Sequence, residues 1–279
     1  MNRSVLVLAL LIVLPSHALQ VAVSPTETLE IAERSAVIKI DGRLNEAVWA
    51  GLDQYDEFVV IEPDTLVKPA HATWVSLFYN QRGLYVGVQV EQPPETLIAR
   101  LSSRDNRQIK RDSVGMVLDT SGEGRYGYWF GINLGDAQMD GTLLPEKQFT
   151  SDWDGAWEGA TSETETGWAA EMFIPWGVVS MPKKAGARRI GLYLERFVAY
   201  KDERWSWPAL PDTVPRFISA LQSVSVNDVQ PQQQYSIFPS ASVTHDRIDG
   251  KTNYRAGADF FWRPSTNLQL TATINPDFG

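Results

Sequence analysis

The chain has 279 residues, with 25 lysines and arginines against 34 aspartates and glutamates, and a formal net charge of −9. This acidic balance argues against nucleic acid as a partner, because binding to a phosphate backbone depends on basic side chains. The chain has no cysteine, so packing must hold the fold without disulfides. The length allows one large β domain or two smaller units.

The N-terminal residues predict an export signal. Arg3 is followed by an apolar run over residues 5–14 and then by "SHA" at residues 16–18, a small-x-small cleavage site. The run is too short for a membrane-spanning helix, which needs about 20 residues. We therefore predict a signal peptide at residues 1–18 and a mature protein in the periplasm, at the outer membrane or on the cell surface.

Strand patterns dominate the next two hundred or so residues. Alternating or β-branched runs cover residues 36–40, 73–79, 84–91, 113–118, 126–133, 168–174 and 190–197. Gly, Pro, Asn and Asp clusters separate the runs, and the best helical candidate is a single short turn at residues 45–52. Regular short strands with turn signals are typical of a β-sandwich or jelly roll. We predict an all-β chain with a sandwich domain over residues 20–227.

A polar, proline-containing segment at residues 228–234 predicts a linker. After it, residues 235–244, 254–262 and 268–275 alternate between apolar and small polar side chains. Such segments are typical of outer-membrane barrel strands, which need about 9–11 residues each. An ordinary antiparallel sheet with one solvated face gives the same alternation. Three strands cannot close a barrel, so we interpret residues 235–279 as the start of a truncated barrel region.

Several motifs occur in order along the predicted sandwich. They are "IDGRLNEAVWAG" (40–51), "DSVGMVLDT" (112–120), "YGYWFGINLGDAQMDG" (126–141), "DWDGAWEG" (152–159), "TETGWAAEMFIPW" (164–176), "YLERF" (193–197) and "ERWSWP" (203–208). On these motifs the chain resembles the family 9 carbohydrate-binding modules. The terminal "TINPDFG" (273–279) resembles an early barrel strand of uncharacterised outer-membrane proteins that carry such a module at their N-terminus. The resemblance implies non-catalytic capture of a poly- or oligosaccharide at the cell envelope, in support of carbohydrate breakdown or uptake.

Aromatic side chains are the predicted sugar contacts, because one face of a pyranose is lined with C–H groups that stack on indole rings. Trp49, Trp74 and Trp168 lie in motif or strand positions that indicate core. Other tryptophans lie between charged and glycine residues in segments that we interpret as loops. The predicted ligand-binding residues are Trp157 and Trp205 as stacking platforms, Trp153 and Trp207 beside them, and Arg196 and Glu203 as polar contacts.

The resemblance also implies structural calcium, which family 9 modules often hold. Calcium takes clustered carboxylate and carbonyl oxygens. The candidate ligands are Asp41, Glu46, Asp105, Asp119, Asp136 and Asp140. Each of these acids can also cap a turn or lie in solvent, and no EF-hand loop is present, so the calcium prediction depends on the resemblance.

Three other functions stay open. A glycoside hydrolase needs two carboxylates at a spatial separation that no sequence motif reveals, and we assign no catalytic residue. A haem-binding relative would use His71 with Met116, Met139 or Met172 as axial ligands. A periplasmic plug or assembly domain of a barrel would bind no sugar. The plug is the main rival, because the resemblance is clear in the scaffold motifs and poor in the loops.

Overall fold

The computed structural model describes residues 27–182, 185–230, 234–245, 250, 252–265 and 268–274. The predicted signal peptide at residues 1–18 and residues 231–233 of the predicted linker lie outside these ranges. Within them, no helix is long and apolar enough to cross a membrane. The helical elements there are two 3-10 turns, Pro94–Thr96 and Ile218–Ala220.

The described residues form strands that we number in chain order. These are β1 (Leu29–Glu30), β2 (Ala32–Glu33), β3 (Gln54–Tyr55), β4 (Val59–Glu62), β5 (Thr73–Tyr79), β6 (Gly83–Glu91), β7 (Ser113–Asp119), β8 (Gly127–Asn133), β9 (Gln138–Leu144), β10 (Gln148–Thr150), β11 (Glu158–Thr164), β12 (Gly167–Pro175), β13 (Ala187–Val198), β14 (Glu203–Trp207), β15 (Gln222–Asn227), β16 (Gln234–His245), β17 (Thr252–Ser265) and β18 (Leu268–Ile274).

The strands form three sheets. The large sheet has the order β1-β15-β13-β7-β8-β9-β10, with β14 paired to β13 and β4 paired to β14. The small sheet has the order β11-β12-β6-β5-β2, with β3 paired to β5. The third sheet is the antiparallel meander β16-β17-β18. The short pairs β1–β15 and β2–β5 are parallel.

The core lies between the large and small sheets, because alternate residues of both sheets belong to one buried cluster. Val86 and Val88 of β6 share this cluster with Met116 of β7 and Phe130 of β8. Period-two alternation places these side chains on the inner faces of their strands. Side chains at the intervening positions, such as Trp129, belong to a second cluster on the outer face of the large sheet. The predicted all-β sandwich is confirmed.

Most of the predicted strands are present, and one is not. Residues 36–40 form no strand. Ile38 and Ile40 instead pack as an extended segment against an apolar cluster that contains Phe78 and Tyr85 of the small sheet. Alternation therefore predicted correctly which side of the segment packs against the protein. The segment packs there without forming the hydrogen-bonded ladder of a strand.

The N-terminal motif is attached to β12 by a buried carboxylate. Glu171 Oε2 accepts the backbone N–H groups of Asp41 at 2.9 Å and Gly42 at 3.0 Å, and Oε1 accepts the Trp49 indole N–H at 3.1 Å. Residues 46–51 form hydrogen-bonded turns and not a helix. Burial, with a further contribution from Glu46, raises the pKa of Glu171. Two distant motifs thus contact each other through one side chain.

Most of the large apolar residues of the third sheet share one face in the strand register. In the strand register Ile237 lies opposite Phe260, Val243 opposite Tyr254, and Trp262 opposite Leu270. We call this the apolar face of the third sheet, and its exposed residues are Tyr235, Ile237, Val243, Tyr254, Phe260, Leu268, Leu270 and Ile274. The three C-terminal strands were predicted correctly from their alternation.

Candidate functional site

Three of the tryptophans predicted to bind a ligand are buried. Trp205 and Trp207 lie in β14 and not in a loop, and Trp205 is fully buried. Trp157 is 5% exposed and donates its indole N–H to Asp140 Oδ2 at 2.8 Å. The prediction that these rings are open to a ligand is therefore wrong, because partners distant in sequence cover them. The indole N–H of Trp205 donates a hydrogen bond to Glu203 Oε2 at 2.9 Å.

Arg196 is a structural clamp between the sheets. It lies in β13 of the large sheet and is fully buried. Its guanidinium donates to the Ala72 carbonyl, Thr73 Oγ1, the Glu91 carbonyl and Gln92 Oε1, all on or beside β5 and β6 of the small sheet. Arg196 therefore has no donor facing solvent, and the structure does not support its predicted role as a polar ligand contact.

The two remaining predicted contacts are only partly exposed. Trp153 packs against Tyr128 and Phe130, with ring centroids 4.9 and 5.7 Å away. Glu203, besides accepting from Trp205, lies 3.7 Å from the Lys201 ammonium. These contacts place both residues at an edge of the core, apart from the groove described below.

The acidic residues predicted to bind calcium are used in other ways. Asp105 and Asp140 gather with Asp154 around Arg104, which is paired with all three carboxylates. Burial raises the pKa of Asp140. The arginine supplies the positive charge in the place where these carboxylates converge, so the set does not fit a calcium ion.

The other calcium candidates are engaged with single turns, side chains or neighbouring charges. Asp119 accepts the backbone N–H groups of Ser121, Gly122 and Gly124 and so closes a turn. Asp136 accepts from Thr161, Asp41 pairs with Lys39, and Glu46 lies beside Glu171. Across the described ranges, no three acidic or histidine side chains are arranged to hold a metal ion. Calcium binding stays a prediction, and these residues give it no ligand set.

A groove of about 390 Å³ lies on the outer face of the large sheet. Its floor comes from β7, β8 and β13, and its walls from β4, β10, β14 and the segments around residues 107 and 212–217. The aromatic lining consists of Trp129, Phe149, Tyr193 and Phe217. An aromatic floor with a few polar groups is typical of a small-molecule site, and the groove is the candidate functional site.

Two glycines let the Trp129 indole lie flat on the sheet. Glu195, Gly115 and Gly131 are adjacent across β13, β7 and β8. A Cβ atom at Gly131 would lie 2.6 Å from Cη2 of Trp129, and one at Gly115 would lie 3.2 Å from its Nε1. The ring therefore covers the space that two side chains would fill. Its Nε1–H donates to Glu195 Oε1 at 2.7 Å.

Charged groups surround the indole. Arg204 donates to Glu195 Oε2 and to Glu62 Oε2, each at 3.2 Å. The nearby Glu195 is the main cause that raises the pKa of Arg204. Phe149 contacts Trp129 edge to face, with ring centroids 5.6 Å apart. Trp129 is thus held at its edge by Phe149 and at its nitrogen by Glu195, while the ring remains partly exposed.

The residues of this groove were missed by the sequence analysis, although one signal was present. In "YGYWFGIN" the residues Tyr128, Phe130 and Ile132 occupy the inward positions of a strand. The outward positions hold Trp129 with a glycine on either side. A large aromatic between outward glycines cannot be a core residue of that strand, and this pattern predicts an exposed ring.

The structure does not favour the two catalytic or cofactor alternatives. Met116 and Met172 line a core cavity of about 10 Å³, barely the volume that one water needs, so they do not fit haem. His71 Nε2 lies 2.6 Å from the hydroxyl of Tyr200. In the groove, the carboxylates of Glu62 and Glu195 both accept hydrogen bonds from Arg204.

Comparison with known proteins gives a fold likeness alone. No family model matches the chain, and no curated protein sequence does. Among solved structures, a carbohydrate-binding module of family 9 from Caldicellulosiruptor kristjanssonii, in complex with cellotriose, matches with a TM-score of 0.50 and 14% identity over 74% of this chain and 95% of that one. A candidate carbohydrate-binding protein from Bacteroides uniformis matches with a TM-score of 0.56 and 15% identity over 71% and 98%.

Proposed function

We propose that the protein binds a saccharide, without catalysis, in the groove on the outer face of the large sheet. The observation that carries this proposal is the partly exposed Trp129 indole, laid flat over Gly115 and Gly131. A flat indole matches the C–H face of a pyranose, and burying an aromatic face contributes both area and orientation. The walls of the groove supply carboxylate and guanidinium groups, which can bond to sugar hydroxyls.

The site is already ordered before a ligand enters. Trp129 is fixed by its bond to Glu195 and by Phe149, and Glu195 is fixed by Arg204. Binding therefore immobilises few side chains, which reduces the entropic cost of association. The fold likeness to a module solved with cellotriose supports the same function.

The proposed place of this binding is the cell envelope, with the apolar face of the third sheet against outer-membrane lipid. Support comes from the register, which gathers apolar side chains of three strands on one face. Strands of 12 and 14 residues in β16 and β17 exceed the roughly 9–11 that a membrane strand requires. The predicted signal peptide supports export.

The test of saccharide binding is a glycan array followed by calorimetry on the full chain, Trp129→Ala and Trp153→Ala. Both tryptophans are partly exposed, but only Trp129 lines the groove. We expect Trp129→Ala to weaken binding by about tenfold or more and Trp153→Ala to leave the affinity unchanged. Circular dichroism and thermal unfolding confirm that each variant is folded.

Two results would contradict the proposal. Binding that depends on Trp153 and not on Trp129 would move the site to the core edge. A folded protein that binds no glycan would favour the plug or assembly role, and the third sheet would then be the part to study.

A further inference from the structure

The charged residues of the groove are paired with one exception. Arg204 is paired with Glu62 and Glu195 at 3.2 Å. Lys147 lies 3.7 Å from Asp212 Oδ1 and also donates to the Asp212 carbonyl. These five groups, two cations and three carboxylates, are engaged with one another in ion pairs.

Arg107 is the exception. Its guanidinium carbon lies 4.0 Å from the centroid of the Phe149 ring and 5.2 Å from that of Trp129. Among the residues that the structure describes, no carboxylate lies within ion-pair distance of it. Partial loss of hydration against the rings lowers the pKa of Arg107. The groove therefore holds one cation that lies on its aromatic wall and forms no ion pair with the described residues, although Glu195 is near enough to favour its charged form.

Arg107 lies beside the Trp129 ring, on which the saccharide is proposed to stack. A saccharide stacked on Trp129 would have its ring substituents next to Arg107, since the same indole contacts both. The planar guanidinium presents paired N–H donors that match a carboxylate in two parallel bonds. Its contacts with the two rings restrict the side chain, which leaves less side-chain entropy to lose on binding.

We propose that the ligand is an acidic saccharide of the uronic-acid class, with its sugar face on Trp129 and its carboxylate paired with Arg107. This inference rests on the proposed function and narrows it. A neutral saccharide would leave Arg107 partly dehydrated and unpaired, whereas a carboxylate would compensate for the lost hydration.

The test uses matched probes that differ at one group, which is either a carboxylate or its methyl ester. Oligomers of galacturonate, mannuronate and glucuronoxylan are each compared with their methyl esters, and cellotriose serves as a neutral reference. Calorimetry on the full chain is expected to show at least one acid bound about tenfold or more tightly than its ester.

Variants assign the preference to one side chain. Arg107→Gln is expected to lower the ratio of the affinity for the acid to that for the ester to about one. Arg107→Lys, which keeps the charge, is expected to retain part of the preference. Arg125→Gln is the matched control, because Arg125 is exposed and lies outside the groove; it should change neither affinity.

The outcomes separate the two proposals. Equal affinities for acid and ester, both lost in Trp129→Ala, would overturn the acidic ligand and keep the groove as a sugar site. An acid preference that persists in Arg107→Gln would also overturn this assignment. If neither the acids, nor the esters, nor cellotriose, nor any glycan of the array binds the folded protein, both proposals fall.

Discussion

The strands of the sandwich and of the third sheet alternate in the same way, but the apolar side chains are buried in the sandwich and exposed in the third sheet. In the sandwich, inward residues such as Phe130 and Leu192 are fully buried, because the two sheets cover each other. In the third sheet, Tyr235 is 73% and Tyr254 78% exposed. The comparison shows that period-two patterning determines which side chains share a face. It does not determine what covers that face.

The two regions also differ in their polar contacts. The sandwich contains buried charged side chains that join separate elements, among them Arg196 between the sheets and Glu171 beneath the N-terminal motif. In the third sheet, an exposed hydrogen bond runs from Thr273 to Asp259 at 2.7 Å. Buried polar contacts therefore help to specify the sandwich, and antiparallel ladders join the described strands of the third sheet.

The largest expected effect comes from removing the clamp between the sheets. Arg196→Met should lower the free energy of unfolding by about 3–5 kcal/mol, because Thr73, Gln92 and two carbonyls would lose their buried donor. Urea denaturation followed by tryptophan fluorescence measures this change. Arg189→Met, at an exposed position of the same strand, is the control and should stay within about 0.5 kcal/mol of the wild type.

Hydrogen exchange shows which region of the protein loses stability in this variant. Arg196→Met should lower amide protection in residues 27–227 and leave residues 234–274 unchanged, since the contacts of Arg196 lie in the sandwich. If Arg196→Met is as stable as Arg189→Met, then Arg196 does not clamp the two sheets together. Equal loss of protection in both regions would show that they unfold together.

A smaller effect is expected from the buried carboxylate of Glu171. Its pKa in the folded protein is raised above the ordinary value, so the folded state takes up this proton at a higher pH than the unfolded state. Its contribution to stability therefore increases as the pH falls from neutral toward the unfolded pKa of about 4.3. Glu171→Gln cannot take up this proton, so the stability of the wild type relative to the variant should increase over that range.

Thermal unfolding at several pH values between 7 and 5 measures this difference. Glu165→Gln, in the exposed turn before β12, is the control and should follow the wild type. A difference between wild type and Glu171→Gln that stays constant with pH would contradict the raised pKa.

The smallest effect on stability is expected in the third sheet. Tyr254→Ser removes an exposed ring from the apolar face and should change the free energy of unfolding by no more than about 0.5 kcal/mol. It should nevertheless lower the fraction that floats with phospholipid vesicles, because apolar area drives that partition. Thr271→Ser, in β18, is the control. Unchanged flotation in Tyr254→Ser would contradict the proposed lipid contact.

The sequence predicted strands better than sites, for a physical reason. Strand patterns are local, and the run at residues 73–79 coincides with β5. Burial of a loop-like tryptophan is not local: Trp157 donates to Asp140, and its ring packs against Phe130 of β8. Arg196 likewise has acceptors more than a hundred residues away. Such contacts follow from the fold and could not be read from the residues flanking these positions.

Trp129 is the informative exception. Its outward position was available from alternation alone, since Tyr128 and Phe130 take the inward places. Its partner Glu195 belongs to a strand 66 residues away, and only the sheet order brings the two together. The exposed ring was therefore predictable from the sequence, and the polar half of the groove was not.

The glycines beneath Trp129 have an evolutionary consequence. Gly115 and Gly131 set the height and tilt of the indole, although the ring separates them from anything in the groove. A methyl group at either position would lift the ring, and the shape offered to a sugar would change while every contacting side chain stayed the same. Under the proposed function, ligand preference can therefore change through substitutions at backbone positions that the ligand does not touch.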